Sequence, residues 1–183
     1  MLKKFMKKQE IERILEPKGD FIRINLLGNY LKLMPPIEMR KFAYSKLAEI
    51  YLKKEMFNDA AKMFKNIGLN SVAFREKREN YLRECKSYIR ALEFDSADKA
   101  LKRAFDEANI RERREMYGII VEFYKKEAEG WIKNGKKEKA SKVYEKLIRM
   151  KISEEEKKEI REILLDLYDK LGKREDYNFL KGV

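Results

Sequence analysis

Apolar and small residues recur three, four and seven positions apart in the stretch from Tyr44 to Phe64. Tyr44, Ala48 and Tyr51 form one such set, and Ala60 and Phe64, four apart, form another. Residues at these intervals share one face of an α-helix. The pattern therefore predicts two consecutive amphipathic helices. The first carries a small residue between two aromatic residues, where a neighbouring helix can approach closely.

The same arrangement returns twice further along the chain. Each copy has an aromatic, a small residue and an aromatic, then an alanine and a large apolar residue: Tyr81, Cys85, Tyr88, Ala97 and Leu101, then Tyr124, Ala128, Trp131, Ala140 and Tyr144. The first aromatic residues of successive copies are 37 and 43 positions apart. Because one helix pair leaves part of its apolar surface uncovered, such copies are expected to stack on one another.

This pattern resembles the tetratricopeptide repeat (TPR) family over residues 41–180. The first copy, with Leu47 before its small residue, matches the family pattern except for a closing proline. The later copies place Glu84 and Glu127 where leucine is expected. The resemblance implies an all-α fold. It would be a right-handed stack of antiparallel helix pairs, a TPR-like α-solenoid of about nine to ten helices.

The copies divide the chain into parts of one continuous array. An N-terminal helix pair, either a degenerate repeat or a cap, is expected at residues 1–36. TPR-like repeats are expected at residues 37–70, 71–110 and 111–152. A partial repeat or capping helices would occupy residues 153–183.

Several helix ends can be predicted from capping residues. A first helix is expected at residues 2–15, and Asp20 is a candidate N-cap for the second. The second helix is apolar nearly all round, so it is expected to be buried on more than one side. Gly68 is expected to end a helix. Ser153 with Glu156 predicts a capping box at the start of another.

The charge pattern favours a solvated surface rich in ion pairs. The 183-residue chain has 44 basic and 32 acidic residues, a formal net charge of +12. Residues 1–40, 41–110 and 111–183 each carry a net charge of +4, so no charged tail stands out. An even distribution fits a solvated surface better than a nucleic-acid footprint. The lysine- and glutamate-rich balance is also thermophile-like.

Cysteine content and hydropathy point to a cytoplasmic location. Cys85 is the single cysteine, so no disulfide can form within the chain. No apolar run reaches the roughly 18 residues of a membrane span. The first eight residues are too polar for the apolar core of a signal peptide.

The residue types of common catalytic and metal sites are missing from the sequence. It contains no histidine, so a Ser-His or Cys-His pair cannot form. One cysteine cannot supply a zinc cluster, and the glycines occur singly rather than in a phosphate-binding loop. We therefore expect no catalytic residue, no metal and no cofactor, and a protein that is not an enzyme.

The TPR resemblance implies a binding groove lined by the first helix of each repeat. It implies a scaffold or adaptor that binds a peptide or partner helix, acidic in character and with apolar anchors. The residues it implies for binding are Lys46, Glu49, Lys53, Arg83, Lys86, Arg90, Lys125, Lys126, Glu129 and Lys133.

Other partners are weighed on the same residues. The basic side chains could contact RNA or DNA phosphates, although most aromatic residues lie on packing stripes and not where bases could stack. A membrane would use the basic, apolar residues 1–8, and it is disfavoured because that segment is short. A homo-oligomer is left open.

Overall fold

The computed structural model describes residues 1–182, and over that range the chain is all-helical. The ten helices, in chain order, are α1 (Lys8–Leu15), α2 (Asp20–Lys32), α3 (Ile37–Lys53), α4 (Phe57–Asn70), α5 (Phe74–Arg90), α6 (Phe94–Asp106), α7 (Ile110–Lys133), α8 (Lys137–Ile148), α9 (Glu154–Leu171) and α10 (Arg174–Gly182). The prediction of an all-α protein is confirmed.

The helices form two compact units. The first comprises residues 1–113, and the second contains the described residues from 114 onward. In the first unit α3 packs on α2 and α4, and α5 packs on α4 and α6. In the second unit α9 packs on α8 and α10. Helices that are adjacent in sequence are therefore also neighbours within each unit.

The small residues singled out by the sequence pattern all lie in the interior. Those between the aromatic pairs are at most 1% exposed: Ala48, Cys85 and Ala128. The alanines near the starts of the following helices are fully buried: Ala60, Ala97 and Ala140. The aromatic residues three positions after Ala48, Cys85 and Ala128 are half-buried: Tyr51, Tyr88 and Trp131. Short side chains at these points let neighbouring backbones approach closely.

Two predicted helix boundaries are wrong. The first helix begins at Lys8 and not at residue 2, although Leu2 is 4% exposed and joins the core. Gly68 lies inside α4, which continues to Asn70. The hydroxyl of Ser71 then donates a 2.8 Å hydrogen bond to the carbonyl of Ile67, satisfying an acceptor at the helix end.

Gly68 is explained by packing. It is buried, and a Cβ atom there would lie 2.6 Å from Cε1 of Tyr81. Tyr81 is 4% exposed on α5, so its ring has little room to move. The glycine is needed because an aromatic ring of the next helix lies against the α4 backbone.

We expect Gly68→Ala to lower the free energy of unfolding by about 1–2 kcal/mol in a urea titration. Overpacking of a core costs about 1–3 kcal/mol, and a Cβ atom 2.6 Å from a buried ring belongs in the upper half of that range, whereas the gain in helix propensity is only about 1 kcal/mol. Gly28 in α2 is the matched control because a Cβ atom there meets nothing within 4 Å. Gly28→Ala should be neutral or stabilising. A Gly68→Ala variant as stable as the wild type would contradict this packing.

Helix α2 is less buried than its composition suggests. Only Leu27 and Tyr30 are buried, while Phe21 is 75% exposed and Ile22 54% exposed. The expectation of burial on more than one side is therefore wrong. Lys54 Nζ lies 4.5 Å from the centre of the Phe21 ring, so a cation–π contact covers part of that aromatic side chain.

The caps are partly as predicted. Gly19, and not Asp20, is the N-cap of α2. At α9 the capping box is confirmed: the Glu156 amide donates to Ser153 Oγ over 3.2 Å, and the Ser153 amide donates to the Glu156 carboxylate over 2.9 Å. Gly172 ends α9 with a φ of 69°, a left-handed conformation that favours glycine.

Candidate binding surface

Two of the predicted binding residues, Lys46 and Glu49, line a cleft in the first unit. The cleft, about 520 Å³ in volume, lies among α1, α2 and α3, and Leu27 and Ile50 contribute apolar surface to it. Lys46 Nζ lies 3.3 Å from a carboxylate oxygen of Glu12 and 3.7 Å from one of Glu49. The cleft thus has three buried apolar residues, Leu15, Leu27 and Ile50, in a lining that is otherwise polar or charged.

Lys53 is engaged with the start of α2. Its Nζ lies 3.5 Å from Asp20 Oδ2, and Lys54 Nζ lies 3.4 Å from the same atom. Burial raises the pKa of Asp20, but the charges and hydrogen bonds of the two lysines outweigh it and hold that pKa below its usual value. Lys53 is 74% exposed, so it can still approach a partner.

Three predicted residues share one face of α5. Arg83, Lys86 and Arg90 are three and four positions apart. The Arg83 guanidinium carbon lies 5.9 Å from the centre of the Phe64 ring, and that of Arg90 lies 5.8 Å from the Phe57 ring. Both rings belong to α4. Because its guanidinium lies above an aromatic face, Arg83 keeps its N–H donors available to a carboxylate.

A charge pair lies between α5 and α6, next to this face. Glu84 is 0% exposed, and its Oε1 accepts a short hydrogen bond from Arg103 Nη2. Glu84 Oε2 and Arg103 Nε are both buried without a hydrogen-bond partner in the described chain. Burial raises the pKa of Glu84, and the charge and hydrogen bond of Arg103 oppose that rise.

The sequence pattern flagged half of this pair. Glu84 stands where the TPR resemblance calls for leucine, which marks it as a departure from the family pattern, but its burial comes from the structure alone. Arg103 was not singled out, because a basic residue on a helix of this composition resembles any other solvated cation. Only the packing of α6 on α5 brings the two side chains together.

In the second unit Lys125 is held by acidic neighbours. Its Nζ lies 2.5 Å from Glu156 Oε1 and 3.3 Å from Glu122 Oε1. The hydrogen bond from Lys125, followed by the backbone hydrogen bond from Ser153, lowers the pKa of Glu156 to about 2. Lys125 therefore ties α7 to the start of α9. The other predicted residues of this unit are exposed on α7: Lys126, Glu129 and Lys133.

We expect Lys125→Met to raise the pKa of Glu156 from about 2 toward its ordinary value, measured by NMR titration of its carboxylate. A lowered pKa contributes stability above the ordinary value of 4.5, and that stability is lost as pH falls through about 2. The variant should thus be less stable at pH 7, by under about 1 kcal/mol because the pair is partly exposed. Lys126→Met is the control. An equal rise of the Glu156 pKa in that variant would contradict the assignment of Lys125 as the partner of Glu156.

The described residues offer no metal-binding cluster and no membrane-spanning helix, and the chain has no recognisable relative. No group of three or more metal-binding side chains occurs within residues 1–182. None of the helices over that range combines the length and hydropathy needed to cross a membrane. No protein-family model, no curated protein and no solved structure matches the chain.

Proposed function

We propose that this chain is a TPR-like helical-repeat scaffold, not an enzyme, that binds an acidic, partly apolar peptide or helix. The observation that carries the proposal is the burial of the small residues in every copy. Ala48, Cys85 and Ala128 are all at most 1% exposed, as a common helix-pair unit requires. Equal burial at the matching position of each copy supports three copies of one helix pair.

The α5 face supports the choice of an acidic partner. Arg83 is exposed, and no acidic side chain pairs with it in the described part of the chain. Many other basic residues already have carboxylate partners, as Lys46 and Lys125 do. An arginine held over Phe64 can give two parallel hydrogen bonds to a carboxylate. Within the same unit, the cleft beside Ile50 offers a place for an apolar anchor.

Charge reversal on α5 tests this proposal. We expect Arg83→Glu with Lys86→Glu to weaken capture of partners from the native cell extract by about tenfold or more. Because Arg83 is exposed and Lys86 is only half-buried, the melting temperature should change little. The matched control is Lys99→Glu with Lys102→Glu, two exposed residues on α6 with the same spacing.

Two outcomes would contradict the proposal. Unchanged capture by the α5 variant would place the partner elsewhere on the molecule. Capture that disappears after nuclease treatment, and that falls steeply as salt rises, would instead favour a nucleic-acid partner.

A further inference from the structure

Large apolar side chains are exposed at three turns of the first unit. They lie between α2 and α3, between α4 and α5, and at the start of α7. The six residues, with their exposed fractions, are Met34 (69%), Ile37 (48%), Leu69 (60%), Val72 (88%), Phe74 (65%) and Ile110 (70%). We call them the turn edge. None of them belongs to the α5 face of Arg83, Lys86 and Arg90.

Ion pairs place the three turns on one edge. Lys41 at the start of α3 lies 2.7 Å from Glu76 at the start of α5. Arg78 of α5 lies 2.7 Å from Glu112 at the start of α7. Packed helices joined by short turns run antiparallel, which also brings alternate turns to the same side. The salt bridges therefore join the three turns into one continuous edge.

The turn edge is apolar enough to require an explanation. Single exposed apolar residues are ordinary, but six large ones gathered along one edge are typical of an interaction surface. Six large side chains, each half to nearly fully exposed, present on the order of 600 Å² of apolar surface. A standard interface buries about 800 Å² on each partner, and the charged rim can supply the remainder.

We propose that a second copy of this chain docks on the turn edge, giving a two-fold dimer with the starts of the two α5 helices at the axis. A two-fold interface must be self-complementary. The middle turn, with Val72 and Phe74, is the richest in exposed apolar surface, and an apolar turn flanks it on each side. A two-fold axis through the middle turn places that turn against the same turn of the second copy. It also places the α2–α3 turn of each copy against the start of α7 in the other copy.

The charged rim fits a second copy. Arg75 is 85% exposed and lies 2.9 Å from Glu79, which is 52% exposed. At a two-fold axis, Arg75 of one copy can share the Glu79 of the other. Glu38, 70% exposed beside one outer turn, adds an acidic group to this rim. A membrane surface fits less well, because Glu38 and Glu79 would face anionic headgroups.

The net charge of +12 sets the salt dependence of the dimer. Two copies repel one another over long range, and salt screens that repulsion. The apolar contact at the turn edge is not weakened by moderate salt. Association should therefore strengthen as salt rises from about 20 mM to about 150 mM. Over that range the Debye length shortens to about 8 Å, so the repulsion between the two copies is screened. Binding to anionic lipid or nucleic acid would weaken over the same range.

Sedimentation equilibrium of the full chain tests the proposal. We expect a monomer–dimer equilibrium in the wild type. Val72→Ser with Phe74→Ser should raise the dissociation constant at least tenfold without lowering the melting temperature. The control is Ile119→Ser with Phe179→Ser, two exposed apolar residues outside the turn edge. Arg75→Glu and Glu79→Arg should each weaken the dimer, and the double reversal should restore it.

Three results would overturn the proposal. The first is a wild type that stays monomeric to millimolar concentration. The second is a Val72→Ser, Phe74→Ser variant that dimerises as the wild type does. The third is binding of phosphatidylserine vesicles by a monomeric wild type, lost in that variant, which would assign the turn edge to a lipid surface.

Discussion

Arg103→Met is expected to lower the free energy of unfolding by about 3–5 kcal/mol at neutral pH. The substitution removes the hydrogen-bonding partner of Glu84, which is 0% exposed, and leaves a buried carboxylate without compensation. Urea titration followed by circular dichroism measures the loss. Arg83→Met removes a cation from the neighbouring helix surface and is the matched control. It should cost no more than about 1 kcal/mol, the contribution of its exposed cation–π contact with Phe64.

The double variant Glu84→Leu, Arg103→Met tests whether the ion pair itself stabilises the fold or whether only the loss of one partner is harmful. Leucine is the residue that the TPR resemblance calls for at position 84. Replacing both members of a buried ion pair with apolar side chains of similar volume is often neutral or stabilising. We therefore expect the double variant to recover most or all of the stability lost in Arg103→Met. A double variant as unstable as the single one would show that the pair is needed for packing.

The pH dependence of stability should carry the signature of Glu84. Its pKa is raised in the folded protein above the ordinary value of 4.5. The folded state therefore holds this proton more tightly than the unfolded state does. The resulting stability is fully present below pH 4.5 and is lost as pH rises through the folded pKa. The free energy of unfolding of the wild type, relative to that of Glu84→Gln, should fall as pH rises from 4.5 through the folded pKa. A rise over that range would contradict a raised pKa for Glu84.

Leucine in place of the buried alanines should cost about 1–3 kcal/mol at each position, by overpacking. The three sites are the fully buried Ala60, Ala97 and Ala140. If the copies share one architecture, each substitution should be destabilising, because a neighbouring helix lies against each alanine. Ala73→Leu, at an exposed position before α5, is the control and should change stability by under about 0.5 kcal/mol. A leucine substitution that leaves stability unchanged at one of the three sites would show that this copy does not share the architecture of the other two.

The features that the sequence predicted well depend on local periodicity. The interior positions of Ala48 and Ala60 follow from helical spacing, since both lie on an apolar stripe. The capping box of Ser153 and Glu156 is local in the same way, because its partners are three residues apart.

The features that it missed depend on contacts between elements. The sequence predicts Gly68 at a helix end because nothing nearby in sequence indicates that the Tyr81 ring lies against it. The partner of Glu84 comes from the next helix, so no periodicity within α5 could find it. The turn edge was missed for the opposite reason. A residue such as Phe74 is apolar, and a pattern of apolar residues does not distinguish a core position from an exposed one.

The most direct test of the central claim is an amide-resolved NMR titration of the full chain. The probe is a helical peptide of about 20 residues, with glutamate on one face and leucine at helical spacing on the other. We predict saturable shifts at Lys46 and along the Arg83–Arg90 face of α5, abolished by Arg83→Glu with Lys86→Glu. Shifts confined to the turn edge around Phe74, or no saturable shifts at all, would contradict a binding surface on α3 and α5.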